Sequence, residues 1–275
     1  MKKILLATTL IAASTGFAAA EVAVSGSARM GVFDDGSQTA FSSRVRIVFT
    51  ASGETDNGLS FGASVRNDQS GVGGTENGDS TVYISGAFGK LTMGDTGNAA
   101  DALVGQVSGI GYGPGALDGA ADIGFLDDIV KTGVQYEYSA GAVTFAIGTG
   151  QIDTNDYMSA AVKYSTDAYS VALGYEDSSA GDSVISLLGS ATFSGATIKA
   201  KIADSDSAAD LAFAMSVDYA ISGATVTAFY ADDNALDANY GIGASYDLGG
   251  GAAVKGGLGS VSGDTVWDLG VTMSF

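Results

Sequence analysis

From Glu21 to the terminal Phe275 the chain breaks into stretches in which apolar and polar side chains alternate, separated by clusters of Gly, Asp, Asn and Ser. A period of two is the signature of an extended strand with two different faces. In one stretch Phe41, Val45, Ile47 and Phe49 share a face and Arg44, Arg46, Val48 and Thr50 share the other. The next sets Leu59, Phe61, Ala63 and Val65 against Ser60, Gly62, Ser64 and Arg66. Later ones set Val134, Tyr136 and Tyr138 against Gln135 and Glu137, and Ile198, Ala200 and Ile202 against Lys199 and Lys201. About sixteen such stretches of roughly ten residues can be marked, an even number within the range of single-chain bacterial barrels.

The bulky residues form one face of each stretch while Gly, Ser, Thr and charges form the other, with no second apolar set to pack against. A soluble sandwich buries bulky side chains between its sheets. A face of large apolar residues opposite a small, polar one is what a barrel shows when lipid lies outside and water inside. Tyr138, Tyr164, Tyr175, Tyr219, Tyr230, Tyr240 and Tyr246 fall near stretch ends, where an amphipathic ring suits a lipid interface. The last stretch alternates Trp267, Leu269, Val271, Met273 and Phe275 with Asp268, Gly270, Thr272 and Ser274. Closing it against the first, with Val22, Val24, Ala28, Met30 and Val32 on the outer face, leaves no free edge. The expected fold is all-β: a transmembrane antiparallel β-barrel of about sixteen strands.

Composition supports this. After the first twenty residues no apolar run approaches the ~18 residues that a membrane helix needs, yet mean hydropathy is positive at +0.24. A closed barrel is the other structure that satisfies its backbone in lipid. Residues 1–20 carry Lys2 and Lys3, an apolar run from Ile4 and a small-residue end at Ala18-Ala19-Ala20, the pattern of a secretory signal. The expected division is therefore a signal over 1–20 and a barrel over 21–275. Cleavage would remove two lysines and move the formal charge from −19 to −21. So acidic a chain repels nucleic acid. There is no cysteine and no histidine, which excludes disulfides, Ser-His-Asp and Cys-His catalysis and the usual zinc sites. No enzymatic activity and no cofactor is expected.

Three features together resemble the Gram-negative general diffusion porins, in particular the Gly-rich, Cys-free porins of alphaproteobacteria of the Rhodobacter type. They are Glu21-Val-Ala-Val-Ser-Gly-Ser-Ala-Arg29-Met-Gly, the segment Val82-Tyr-Ile-Ser-Gly-Ala-Phe-Gly-Lys90-Leu-Thr-Met-Gly-Asp95, and the terminal Phe275. The resemblance covers essentially all of residues 21–275. It implies sixteen strands, a third loop folded inward, a homotrimer in the outer membrane in contact with lipid and lipopolysaccharide, and a C-terminal strand ending in Phe275 that is read by the barrel-assembly machinery.

All four arginines, Arg29, Arg44, Arg46 and Arg66, lie in the first three stretches and share the small, polar face. The longest segment without alternation runs from Asp95 to Asp128 and holds Asp95, Asp101, Asp118, Asp122, Asp127 and Asp128, with Gly113-Pro114-Gly115 as a bend. It matches the inward loop of the resembled family in position and acidity. Arginines on the wall and carboxylates on the loop are expected to set a transverse field across a pore constriction that admits small hydrophilic solutes and ions, with modest cation preference. Lys90 reads as a rim charge, and Lys131, Lys163, Lys199, Lys201 and Lys255 have the parity to line the wider mouths.

Carboxylates at Asp34-Asp35 and at Asp232, Asp233 and Asp237 can hold loop-bound calcium through oxygen ligands, although their spacing is not that of an EF-hand. Gly109-Ile-Gly111 and Gly241-Ile-Gly243 lack the following helix of a nucleotide loop. Two alternatives to a diffusion pore stand beside it. A substrate-selective outer-membrane channel would carry an aromatic or basic track. An exported acidic adhesive or structural β protein would carry tandem Gly-Asp nonapeptides, which are not found.

Overall fold

The computed structural model describes residues 21–70, 74–126, 133–150, 157–179, 181–234 and 236–275. The signal expected over 1–20 lies outside them, as do Asp127, Asp128 and Lys131. The strands are β1 (Glu21–Asp34), β2 (Thr39–Glu54), β3 (Ser60–Ser70), β4 (Gly74–Gly86), β5 (Gly89–Gly94), β6 (Gly133–Ala140), β7 (Val143–Thr149) and β8 (Tyr157–Ser165). They continue as β9 (Tyr169–Ser178), β10 (Ser183–Phe193), β11 (Ala196–Ser205), β12 (Ala212–Ile221), β13 (Ala224–Asp232), β14 (Asn239–Gly249), β15 (Ala252–Val261) and β16 (Asp264–Ser274). Each pairs antiparallel with its sequence neighbours, and β1 pairs with β16 to close the barrel.

Closure is completed by the final residue. Phe275 exchanges both backbone hydrogen bonds with Gly26, at 2.7 and 3.0 Å, and its ring lies where a side chain on Gly26 would stand. The start of β1 at Glu21 and the terminal Phe275 lie with the short turns, and the longer connections lie at the other end. One of these, between β5 and β6, holds a short helix, α1 (Ala99–Val104), and a 3₁₀ turn (Gly115–Leu117).

Period-two alternation becomes two surfaces. Leu91, Tyr136, Ile147, Ala160, Tyr175 and Ile185 stand opposite one another across successive strands, an apolar row running round the outside. Phe41, at 86% of full exposure, belongs to the same outer surface. Such exposure is tolerable where the solvent is lipid. Exposed tyrosines mark both margins: Tyr138, Tyr164, Tyr219 and Tyr246 toward the short turns, Tyr175, Tyr230 and Tyr240 toward the long loops.

One expectation is corrected. The inner wall is not uniformly small and polar, and a packed core is present. Val184, Leu188, Phe229 and Val266 face inward and are buried against Val104, Val107, Ile110, Leu117 and Ile123 of the β5–β6 connection. The apolar side of this loop supplies the second set of side chains that the strands alone lack.

Candidate pore constriction

The loop between β5 and β6 is positioned one bond at a time. At its root the Asp95 carboxylate accepts the Ser80 N–H at 2.9 Å. Asn98 caps α1 by accepting the Asp101 N–H, and the Ala99 N–H donates to Ser159 Oγ at 2.8 Å. The Ser108 N–H donates to Ser216 Oγ at 2.9 Å while its hydroxyl donates to Asp218 at 2.6 Å. The Tyr112 N–H donates to Asp268 at 2.9 Å, and an Arg29 guanidinium N–H donates to the Gly113 carbonyl. The returning limb is tied by Asn239, donating to the Ala120 carbonyl at 3.1 Å, and by paired bonds of 3.2 Å between the Gln106 amide and the Ile123 backbone. Apart from Ser80 at the root, every wall residue in these bonds, from Ser159 through Asp268 to Arg29, has inward parity. The loop therefore lies inside the barrel, against β8–β16 and β1.

Lys201 fastens the return. It is fully buried, donates to Gln106 Oε1 at 2.9 Å and to the Ile123 carbonyl at 2.6 Å, and sits 3.3 Å from the centre of the Phe125 ring. Parity had suggested a wide-mouth lining residue. The parity is right, but the loop covers the side chain. Glu176, also fully buried, accepts from the Tyr157 hydroxyl beneath the same limb.

The seat for the loop is a strip of glycines. A Cβ on Gly243 would stand 2.8 Å from Ile110 Cβ, and one on Gly257 3.0 Å from Ile110 Cδ1. A Cβ on Gly270 would meet the Tyr112 ring at 2.6 Å. These glycines are required for the space they leave. The Gly241-Ile-Gly243 pattern is thus a wall flat enough for the loop to approach, since Gly241 also meets Ile110.

Across the lumen stand β2 and β3, half a circumference from β10 and β11 in strand order. Arg29 and Arg44 are register partners, as are Arg46 and Asp68. Arg46 donates to both oxygens of Asp68 over 2.8–3.1 Å, and Arg66 approaches the same carboxylate at 3.2 Å. Among the described residues Arg44 makes no hydrogen bond or ion pair, and its electrostatic neighbours are Arg29, Arg46, Asp68 and Asp118. The structure thus gathers the four arginines, with Arg29 spent on holding the loop tip and Arg44 presented to the lumen.

Of the loop carboxylates, Asp118 lies near the arginines, and Asp101 and Asp122 lie near Lys201. All three are exposed. Desolvation by the protein crowded round the lumen holds the Asp122 carboxyl above the usual range, Lys201 opposes the shift, and Asp118 and Asp101 add to it. Asp95 is engaged at the loop root. Sequence reading missed Asp68, although its parity with Ser64 and Arg66 was a signal, and it missed Asp218, Glu176 and Asp268 as anchors.

In the β1–β2 turn, Asp35 accepts from the Ser37 hydroxyl and the Ser37 and Gln38 amides, which hold its carboxyl below the ordinary value. Among the described residues no group of three or more Asp or Glu side chains is gathered to hold a metal ion.

Known proteins align with this architecture. Residues 7–265 match a family described as Gram-negative porin. The chain is 36% identical to a porin of Rhodobacter capsulatus over 302 aligned positions, covering 93% of this chain and all of that protein. A porin structure refined at 1.8 Å superposes with a TM-score of 0.77 at 33% identity, again over 93% of this chain and 100% of the other. A triple mutant of Rhodopseudomonas blastica porin, 24% identical with the same coverage, superposes at 0.78 and so shares the fold.

Proposed function

The chain belongs to the Gram-negative porin family and forms a passive diffusion channel of the outer membrane, and from that premise we propose that the arginine wall and the inner loop form its selectivity filter. The observation that carries this reading is the Arg44 guanidinium, without a hydrogen bond or ion pair among the described residues, set across from a loop that presents Asp118 and Asp122. Opposed charges across a water-filled gap set up a field perpendicular to solute flow. Such a field orders water and orients dipolar solutes, and it raises the barrier for apolar ones, which gain nothing from it. The carboxylate excess on the loop gives a mild cation preference.

The family also frames the assembly. The chain functions as a homotrimer held in lipid and lipopolysaccharide. Residues 1–20 are removed on export, and the C-terminal strand ending in Phe275 is the part read by the assembly machinery. Calcium taken up by the carboxylates at Asp34-Asp35 or at Asp232, Asp233 and Asp237 would lie at the outer connections, away from the filter.

The test is single-channel recording from the purified protein in a planar bilayer, with the reversal potential read in a salt gradient. Large ohmic steps with a cation-selective reversal potential are expected. Asp118→Asn with Asp122→Asn should move that potential toward anions, and Arg44→Gln should move it toward cations. An anion-selective wild type, or a reversal potential indifferent to all three substitutions, would overturn the filter assignment.

A further inference from the structure

Fixed charges outside the filter are segregated along the pore axis. In the connections at the long-loop end, the described residues include many carboxylates and neither lysine nor arginine. Asp35, Asp182, Asp206, Asp210, Asp233 and Asp237 are examples. At the short-turn end, Lys90, Lys163, Lys199 and Lys255 each stand within four residues of a strand terminus with lumen parity. There the four lysines offset much of the charge of the six acids Glu21, Glu54, Asp56, Glu137, Asp167 and Asp247. Barrels of this kind place long loops outside the cell and short turns in the periplasm. The outer mouth is therefore strongly anionic and the inner mouth much closer to neutral.

We infer that this channel rectifies, passing more current when the extracellular side is positive. The anionic mouth is filled mainly with mobile cations, whereas the inner mouth carries both ions. When the field drives cations inward, more arrive at the junction between the two zones than the inner zone removes as cation current. Anions moving outward meet the carboxylates and stall at the same place. Salt accumulates in the pore and conductance rises. With the field reversed both ions are drawn away from the junction, the pore is depleted of salt, and conductance falls. In life the same gradient concentrates small cationic solutes at the outer mouth and lets them go at the inner one.

The inference rests on the open-channel reading above, and salt concentration separates the two. At about 1 M KCl the Debye length is about 3 Å and wall charges are screened, whereas at about 0.01 M it is about 30 Å and spans the pore. The expected current–voltage curve is therefore linear in high salt. In low salt it is asymmetric by a factor on the order of two, given surface potentials of several kT. Orientation is fixed with Ser207→Cys in the β11–β12 loop, the sole thiol in a cysteine-free chain, by adding a bulky membrane-impermeant thiol reagent to one chamber.

Lys163→Gln, Lys199→Gln and Lys255→Gln combined should make both mouths anionic and flatten the low-salt asymmetry, leaving high-salt conductance intact. No conductance in high salt would defeat the channel reading itself. Normal high-salt conductance with symmetric low-salt current, or asymmetry of the opposite sense, would overturn only the rectification. Asymmetry that survives the lysine triple variant would also overturn it, by placing its origin at the filter.

Discussion

Gly243→Ala tests whether the inner loop is seated as described. The added Cβ would stand 2.8 Å from Ile110 Cβ, 3.2 Å from its Cγ2 and 2.8 Å from the Gly256 carbonyl oxygen. Carbon atoms pack best at about 3.5–4.0 Å, so Ile110 has to withdraw by about 1 Å. It cannot slide along the wall, because Ser108 and Tyr112, two residues to either side, are bonded to Ser216 and Asp268. The open direction is into the lumen. Overpacking of this kind costs about 1–3 kcal/mol, and here it also narrows the water path. Gly243→Ala should therefore lower the denaturation midpoint and the single-channel conductance together. The Gly256 contact belongs to the strands, so it has to be separated from the loop contact. In a double-mutant cycle with Ile110→Gly, the loop part alone appears as coupling, of about 0.5–3 kcal/mol. Wild-type conductance in Gly243→Ala with no coupling to Ile110 would refute the seat.

Lys201→Met keeps most of the side-chain volume but removes the charged donor shared by Gln106 Oε1 and the Ile123 carbonyl, which then keep only their 3.2 Å bonds to each other's N–H groups; losing a hydrogen bond to a charged group costs about 1.5–3 kcal/mol. The returning limb should loosen, with lower stability and greater open-channel noise in bilayer recordings; wild-type values for both would show that Lys201 holds nothing. Asp122 gives a pH signature. Its carboxyl is raised in the folded protein, so the group costs stability at neutral pH, and this cost is relieved as pH falls through the folded value. Asp122→Asn should therefore be slightly more stable than wild type at pH 7 and lose that advantage on acidification. The wild type's cation preference should begin to fall at a pH above the ordinary carboxylate range. Parallel pH profiles of midpoint and reversal potential in the two proteins would contradict this.

Much of the barrel was legible because a strand's two faces are written two residues apart. Phe41, Val45 and Ile47 against Arg44 and Arg46 needed no distant partner to interpret. Parity gives a face, however, and not what stands before it. Lys201 and Lys199 share a face, yet Lys201 is closed off by Gln106 and Ile123, 95 and 78 residues away. In β10 the inward Val184 and Leu188 are as apolar as the outward Ile185 and Leu187, with only Ser186 between them. Its inward half was hidden until the loop that covers it was placed. Asp68 has the parity of Ser64 and Arg66, but parity alone does not show that the β2–β3 register sets it directly beside Arg46.

The same loop explains why so acidic a chain places its few arginines together on β1–β3. Its apolar side packs on β9–β13 and β16, where the inward residues are Ala172, Val184, Leu188, Phe229 and Val266. That half of the barrel is dry and supplies the fold's core. Water is thereby confined to the opposite half, bounded by the polar edge of the loop and by β2 and β3. A charge that the loop covers is buried and must be partnered, as Lys201 is. On the wet half it remains hydrated and can act on a passing solute, as Arg44 is placed to do. Where the loop's apolar side chains dock thus decides which inward positions can carry a working charge. The filter is a consequence of the core, and the glycine strip that admits Ile110 and Tyr112 belongs to both.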